Sequence, residues 1–316
     1  MLRTAVIGVG FFGRLHAQKH AALPGAELVG VVDIDRTRAE AVGAELGVPA
    51  HTDYRALLGA VDAVSVVVPT AAHFEVARAF VEAGAHVLVE KPITAEPATA
   101  SALIAAAARA DRVLQVGHLE RFSAAWLGLH EVLTNPMFID CQRVCPFKPR
   151  GTDVNVVLDM MIHDIDLVLD AVKAPVTEVD AIGVPVLSDG EDIANARLHF
   201  EGGCVASVTA SRVSLKNERK IRLFQRDMYV RLDLHARAMQ VVRRLPGAGP
   251  GGMPRLEIEE RTAEEGDPLR SEIESFLAAA RDGRTPFVTG EDGLRALECA
   301  IAITEHLRDW HRAVVG

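Results

Sequence analysis

The sequence predicts an α/β chain in two parts: a doubly wound parallel sheet, then an α+β region with a large open mixed or antiparallel sheet. Three observations carry this. Up to Gly117, short apolar runs alternate with helical patterns. Those runs are rich in Val, Ile and Ala without polar alternation, as strands buried on both faces must be. Beyond Gly117, strand-like runs follow one another across short turns such as Glu201-Gly202-Gly203 and Arg226-Asp227.

The first strand, Thr4–Ile7, leads into Gly8-Val9-Gly10-Phe11-Phe12-Gly13 and then a helical pattern through His20. Gly8 suits a sharp backbone turn. A side chain at Gly10 would block a diphosphate, and one at Gly13 would hold the helix off the strand. The helix start, with Phe11 and Phe12 in its first turn, offers backbone N–H groups and a positive dipole end to that diphosphate. A second strand, Glu27–Val32, runs into Asp33, about twenty residues beyond Gly13. An acceptor for the adenine ribose belongs there, and a carboxylate repels a 2′-phosphate, so NAD is expected over NADP.

A helix over Arg36–Leu46 stopped by Gly47 comes next, then a short helical turn at Tyr54–Leu58. Strand Ala63–Val68, helix Ala72–Ala83 stopped by Gly84, strand His86–Glu90, helix Ala98–Ala108 and strand Val113–Val116 complete the first part. Strands joined through helices imply right-handed crossovers and parallel pairing. The expected first domain is therefore 1–119. Residues 120–316 are expected to bind substrate and oligomerise, with the last helix packing back towards the first domain. Within them Phe138–Val144, Val176–Val184, Ile193–Phe200, Cys204–Ser211, Ile221–Gln225 and Met228–Asp233 read as strands, and Leu158–Ala171 as a helix. Pro246–Pro254 reads as an exposed loop, and helices near Pro268–Arg281 and Glu291–Ala313 close the chain.

At 316 residues, 49% hydrophobic and 24% charged, the composition is that of an ordinary globular protein large enough for two cores. A net charge of −9 argues against general binding to nucleic acid or anionic membrane. No signal-peptide pattern precedes the first strand, and no apolar run approaches a membrane span, so a cytoplasmic protein is expected. Cys141, Cys145, Cys204 and Cys299 form no C-x-x-C pair, which reads as buried thiols in a reducing compartment, with neither disulfide nor metal.

Ligands of an open parallel sheet bind beyond the carboxyl ends of its strands. Three such ends carry chemistry: Val68-Pro69-Thr70 with His73, then Glu90-Lys91-Pro92, then Gly117-His118. Lys91 is the leading catalytic candidate, since a partly desolvated ammonium near a cofactor that becomes cationic is tuned towards acid–base work. Position alone does not separate that role from a surface lysine's. The Lys-Pro bond also permits a cis peptide that would direct the lysine. In the second part, Asp159, His163, Asp166 and Asp170 fall on one narrow helical stripe between apolar walls, which suits a pocket. His163 is the one group there that titrates near neutrality and accepts a hydroxyl proton. Asp159 would orient it or bind a sugar hydroxyl. The same stripe would also suit helix charges at a domain surface. Between Arg212 and Arg226 six basic residues meet the single acid Glu218, and Lys148 and Arg150 form a smaller basic pair. Of these, Arg150 is the candidate partner for an anionic substrate.

Taken in order, the glycine turn, Asp33, Pro69-Thr70 with His73, Glu90-Lys91-Pro92, Gly117-His118 with Arg121-Phe122, Asp159 with His163, and Gly290-Glu291-Asp292-Gly293 resemble the Gfo/Idh/MocA oxidoreductase family across nearly the whole chain. The resemblance implies an N-terminal Rossmann domain for NAD and a C-terminal α/β domain whose open sheet often joins subunits in a homodimer or homotetramer. It also implies that Lys91 and His163 lie on opposite sides of a small-molecule substrate, with Asp159, Arg121 and Arg150 among the substrate contacts. Gly8, Gly10, Phe11, Phe12, Gly13, Asp33, Pro69, Thr70, His73, Glu90, Lys91 and His118 are the expected cofactor contacts. Three stretches (Gly117–Phe122, Val157–Asp166, and Ala194–Leu198 with Ala210–Arg212) are similar to bacterial UDP-N-acetylglucosamine 3-dehydrogenases that supply a 3-amino sugar for lipid A. Ser123 departs from that pattern, which carries asparagine there. Oxidation of a sugar 3-hydroxyl by NAD is the implied reaction. Another sugar or polyol dehydrogenase, such as one acting on inositol, and a non-catalytic NAD-binding regulator are the alternatives.

Overall fold

The computed structural model describes residues 1–147 and 155–315. The first sheet contains β1 (Leu2–Ile7), β2 (Ala26–Val32), β3 (Ala50–His51), β4 (Ala63–Val66), β5 (His86–Glu90) and β6 (Leu114–Gly117), in the order β3-β2-β1-β4-β5-β6. Every pairing in it is parallel. This is the Rossmann order, which reverses direction between β1 and β4 and opens a crevice at their carboxyl ends. Val6, Val64, Val66, Val87 and Val89 are fully buried, as the unbroken apolar runs require.

Helices α1 (Phe11–Ala22), α2 (Arg36–Leu46), α3 (Thr70–Glu82) and α4 (Pro97–Ala110) connect the strands. The Asp35 side chain accepts the Arg38 N–H at the start of α2, and Gly47 ends that helix in the left-handed region. The short turn at Tyr54–Leu57 is a 3₁₀ helix.

The chain divides into two compact units, Met1–Phe122 with Asp267–Leu297, and Ser123–Gly266 with the residues from Glu298 onward. A single cut at residue 119 does not describe this division. Helix α7 (Pro268–Asp282) belongs to the first unit. Its Leu269, Ile273 and Phe276 share one core with Leu23, Ala63 and Leu88. Helix α8 (Gly290–Val315) gives its first turns to the first unit and the rest to the second. It begins with reciprocal capping, in which Asp292 accepts the Thr289 N–H and the Thr289 hydroxyl accepts the Asp292 N–H.

The second unit begins with α5 (Ala124–Leu129), a helix the sequence reading lacks, capped by Ser123. Strand β7 (Pro136–Val144), a π-helical turn at Val157–Met161 and α6 (Ile162–Val172) come next. Strands β8 (Val176–Val184), β9 (Ile193–Phe200), β10 (Val205–Ser211), β11 (Glu218–Gln225), β12 (Met228–Asp233), β13 (Ala238–Ala248) and β14 (Pro254–Thr262) complete the sheet. Their order is β14-β13-β12-β11-β7-β10-β9-β8, and only β7 with β10 is parallel. The open loop expected over Pro246–Pro254 is instead the end of a long hairpin, with a 3₁₀ turn at Pro250–Gly252. Strand β14 escaped the sequence pattern because it is an exposed edge with no buried residue to set an alternation. No described helix is long and apolar enough to cross a membrane.

Candidate active site

The glycine turn behaves as its spacing requires. Gly8 has φ +86°, and a Cβ at Gly13 would lie 1.8 Å from the Gly8 carbonyl oxygen, so α1 rests directly on the turn. Nothing lies within 4 Å of where a Cβ of Gly10 would be. That open space and the absence of a side-chain cap on α1 are what a diphosphate needs. Phe11 is largely exposed, whereas the Phe12 ring packs edge-on against His16 with centroids 5.1 Å apart.

Asp33 is 6% exposed and does more than the spacing indicates. Its carboxylate accepts the Val9 N–H at 3.0 Å and the Asp35 N–H at 3.0 Å, tying the β2 end to the glycine turn. The Arg38 guanidinium lies 3.2 Å from both carboxylate oxygens and is half exposed. Arg38 and Arg14 also line a cleft of ≈ 740 Å³ beside Val9 and Gly10. The sequence reading passed over Arg38, although an arginine one turn into the helix after a ribose-binding acid is a usable signal.

At the third strand end, Pro69 caps α3 and Thr70 is its first residue. His73 is buried, with Nδ1 2.8 Å from the Pro92 carbonyl and Nε2 2.9 Å from the Val68 carbonyl. It therefore ties the end of β4 to the segment after Lys91. Burial pushes its pKa below the ordinary value and outweighs the two carbonyls, which pull the other way. A neutral ring donates to only one of the two oxygens.

At the fourth strand end the Lys91–Pro92 bond is cis, and Lys91 is half-buried. The Glu90 carboxylate, expected among cofactor contacts, is turned inward. One oxygen accepts the Lys91 N–H at 3.2 Å, and the other lies 3.2 Å from His16 Nε2. A Cβ at Gly117 would stand 2.6 Å from that second oxygen, so the glycine of Gly117-His118 makes room for this carboxylate. Glu272 of α7 joins them, and its ligand atom lies within 4.8 Å of those of His16 and Glu90. Nothing in the sequence links His16 to Glu272, which come from opposite ends of the chain.

His118 is buried, and its carbonyl accepts the Arg121 N–H. Arg121, expected to meet substrate, is 4% exposed with its guanidinium 3.6 Å from Asp292.

In the second unit, Asp159 lies on the π turn and His163 in the first turn of α6, both half-buried. The π turn corrects the expected regular helix, because its wider winding changes the phase between Asp159 and His163. The Asn155 side chain holds the start of that turn through the Leu158 N–H. Asp166 is buried, while Asp170 accepts the Trp126 ring N–H and lies 3.1 Å from His130. Four of the six residues in the basic run meet local acids: Arg212 meets Asp192, Lys216 and Lys220 meet Glu218, and Arg222 meets Asp140. Lys148 and Arg150 lie outside the described residues.

Comparison with known proteins agrees with this fold. Residues 2–118 match the oxidoreductase family with an NAD-binding Rossmann fold, and residues 146–230 match the GFO/IDH/MocA C-terminal domain. The chain is 40% identical over 303 residues to UDP-N-acetylglucosamine 3-dehydrogenase of Acidithiobacillus ferrooxidans, covering 96% of each. The solved structure of that enzyme superposes with a TM-score of 0.91 at 39% identity over 97% of both chains. Myo-inositol 2-dehydrogenase of Thermotoga maritima is 29% identical over 328 residues, covering 98% of this chain and 97% of that one. Levoglucosan dehydrogenase in complex with NADH shares the fold, with a TM-score of 0.84 at 19% identity over 98% of this chain and 97% of that one.

Proposed function

Because this chain belongs to the GFO/IDH/MocA oxidoreductase family, we propose that it oxidises the 3-hydroxyl of UDP-N-acetylglucosamine to the 3-keto sugar with NAD. The observation that carries the substrate is the end-to-end likeness to the Acidithiobacillus ferrooxidans 3-dehydrogenase in both sequence and structure. The open space at Gly10, the close rest of α1 on Gly8 and the acid at the β2 end fit a dinucleotide, held by the start of α1 and by Asp33. Bound there, NAD supplies the hydride acceptor. His163 takes the hydroxyl proton, Lys91 donates a hydrogen bond to the same oxygen, and Asp159 orients the imidazole or binds a neighbouring hydroxyl. Much of the rate comes from holding the sugar carbon in place and keeping water away. Arg150 is the assigned contact for the diphosphate of the substrate. The 3-keto product is a carbonyl, the form that an amino-transfer reaction consumes.

We place the enzyme in the cytoplasm as a homodimer or homotetramer joined through the open face of the second sheet. The buried thiols of Cys141, Cys204 and Cys299, each pushed up in pKa by burial, suit a reducing compartment. A second reading, a polyol dehydrogenase acting on inositol, is favoured by the full-length Thermotoga maritima relative.

The test is incubation with NAD and a panel of UDP-sugars and inositols, following absorbance of the reduced nicotinamide. NADH should form with UDP-N-acetylglucosamine and not with inositols. Lys91→Ala and His163→Ala should each cut turnover by about a hundredfold or more, with NAD affinity changed only a few-fold. Turnover of inositols alone would select the second reading, and full turnover in both variants would remove the assigned roles.

A further inference from the structure

The sheet of the first unit is open at both ends. Its nucleotide crevice lies beyond the carboxyl ends of the strands, and a separate cleft of ≈ 430 Å³ lies at the amino ends of β5 and β6. His86, the first residue of β5, and Arg112 form part of its wall. The rest comes from α4, the end of α7 and the segment that leads into α8. The local fold brings Arg112 to His86. Asp111 ends α4 in the left-handed region with φ +55°, and the Arg112 N–H turns back to the Ala107 carbonyl.

The contact between these two side chains does not balance. His86 is 9% exposed, and its Nδ1 accepts the backbone N–H of Val113 at 2.9 Å. Nδ1 therefore carries no proton, and a neutral imidazole must hold its one proton on Nε2. Burial, and after it the Arg112 charge, pushes the His86 pKa below the ordinary value, against weaker pulls from Asp111 and Asp62. Yet Nε2 lies 3.3 Å from Arg112 Nη1, and a guanidinium has only donors. Two N–H groups thus point at one another beside the cleft. The Arg112 Nε is buried too and, among the described residues, finds no acceptor. Arg112 also has no ion-pair partner among them, whereas Arg281 and Arg284 at the same cleft are both tied to Asp282. The two acids that line the cleft, Asp111 and Glu291, are exposed.

We propose that this cleft binds a small organic anion, whose phosphate or carboxylate oxygens accept the His86 Nε2–H and the Arg112 guanidinium together. An oxyanion resolves the opposition, since it has only acceptors and takes the two donors on two oxygens. It also supplies the counter-charge that Arg112 lacks. The cleft has the size of a small-molecule site, and Ile104, Ala107, Leu114 and Ala280 offer an apolar wall for the carbon body. His86 stands at the opposite end of β5 from Glu90 and Lys91, so the site is independent of the reaction assigned above. A water between the two donors is the competing account, because it too offers an acceptor.

Phenyl phosphate and benzoate, titrated into the full-length protein saturated with NAD, test the site and distinguish the two headgroups. NAD occupies the other place where a phosphate would bind, the start of α1. At least one probe should bind once per chain and, at ten times its Kd, raise Tm by about 3 °C against chloride of equal ionic strength. Arg112→Ala should weaken that binding by about ten- to a hundredfold. Arg284→Ala removes an equal charge at the cleft but neither of the opposed donors, and should weaken it by no more than about threefold. If Arg112→Ala fails to fold, Arg112→Gln keeps most of the side-chain stem and carries the same comparison. Binding of phenyl phosphate alone assigns a phosphorylated ligand, of benzoate alone a carboxylate, and of both the shared oxyanion chemistry. Failure of both probes to bind below about 10 mM would leave water between the donors and overturn the proposal. Binding that the Arg112 variant leaves within twofold, or that Arg284→Ala weakens equally, would overturn it as well.

Discussion

At the scale of single residues, Asp33 and Arg38 make an ion pair at the end of β2, and under the proposed function its balance sets which dinucleotide the protein accepts. The Asp33 carboxylate already holds Val9 and Asp35 by their N–H groups, so it is fixed before any ribose arrives. Arg38 sits 3.2 Å from the same oxygens and reaches solvent. With the acid in place, a 2′-phosphate meets a fixed negative charge. With the acid removed, it meets a released guanidinium, and a charge-assisted Arg–phosphate contact contributes about 1.5–3 kcal/mol. Asp33→Ala should therefore raise kcat/KM with NADP by about ten- to a hundredfold relative to NAD. Adding Arg38→Ala should cancel most of that gain. Steady-state kinetics with both cofactors checks this, and discrimination unchanged in Asp33→Ala would remove the acid from its role. Asp33 was legible because its spacing from Gly13 is set by one strand–helix–strand unit. Arg38 was harder to see, since its meaning depends on the carboxylate rotamer it meets.

At the scale of elements, the glycine turn separates two jobs that the sequence pattern merges. Gly13 serves packing: a Cβ there collides with the backbone of Gly8, which cannot yield without moving α1 off β1. Gly10 is the glycine assigned to the ligand under the proposed function: its φ of −61° suits any residue and its Cβ would stand in open space. Gly13→Ala should lower stability by about 1–3 kcal/mol and weaken NAD binding with it. Gly10→Ala should stay within about 0.5 kcal/mol of wild type and still raise the NAD KM. Thermal unfolding and NAD titration of the two variants test the division, and equal losses of stability would contradict it. The same comparison explains what the sequence reveals of the fold. Helices with a glycine stop, such as α2 at Gly47, and strands buried on both faces, such as β5, carry strong local signals. Strand β14 carries none, because an edge studded with Arg255, Glu257, Glu259, Glu260 and Arg261 has no buried face to reveal. The π turn before His163 is equally silent, since a change from α to π winding alters backbone bonds and leaves the apolar period nearly intact. The triad of His16, Glu90 and Glu272 needs three distant elements, so no window of sequence contains it.

At the scale of the whole molecule, the second sheet has one face that its own unit covers and another that, among the described residues, it leaves partly exposed. On the covered face, Ile139, Cys141, Leu223, Ile221, Val230 and Val241 are buried, and Arg143 reaches the Asp164 carboxylate of α6. On the other face, Phe138, Phe224, Tyr229, Val242 and Ile258 stand in one register row across β7, β11, β12, β13 and β14. The Phe138, Phe224 and Tyr229 rings lie 5.6 and 5.1 Å apart, while Phe224 is 38% and Ile258 61% exposed. An ordered apolar row of this kind calls for a partner. The charged edge of β14 discourages strand-to-strand addition there, which supports the proposed pairing of this face with a second copy. Light scattering should find two or four chains per particle in wild type. Phe224→Glu with Tyr229→Glu should give single chains, because each buried charge opposes an interface that needs about 800 Å² per partner. The circular dichroism spectrum should stay that of wild type, since both side chains lie on the face away from α6. Wild type running as a single chain, or the double variant keeping its mass, would show that this face is not where copies meet.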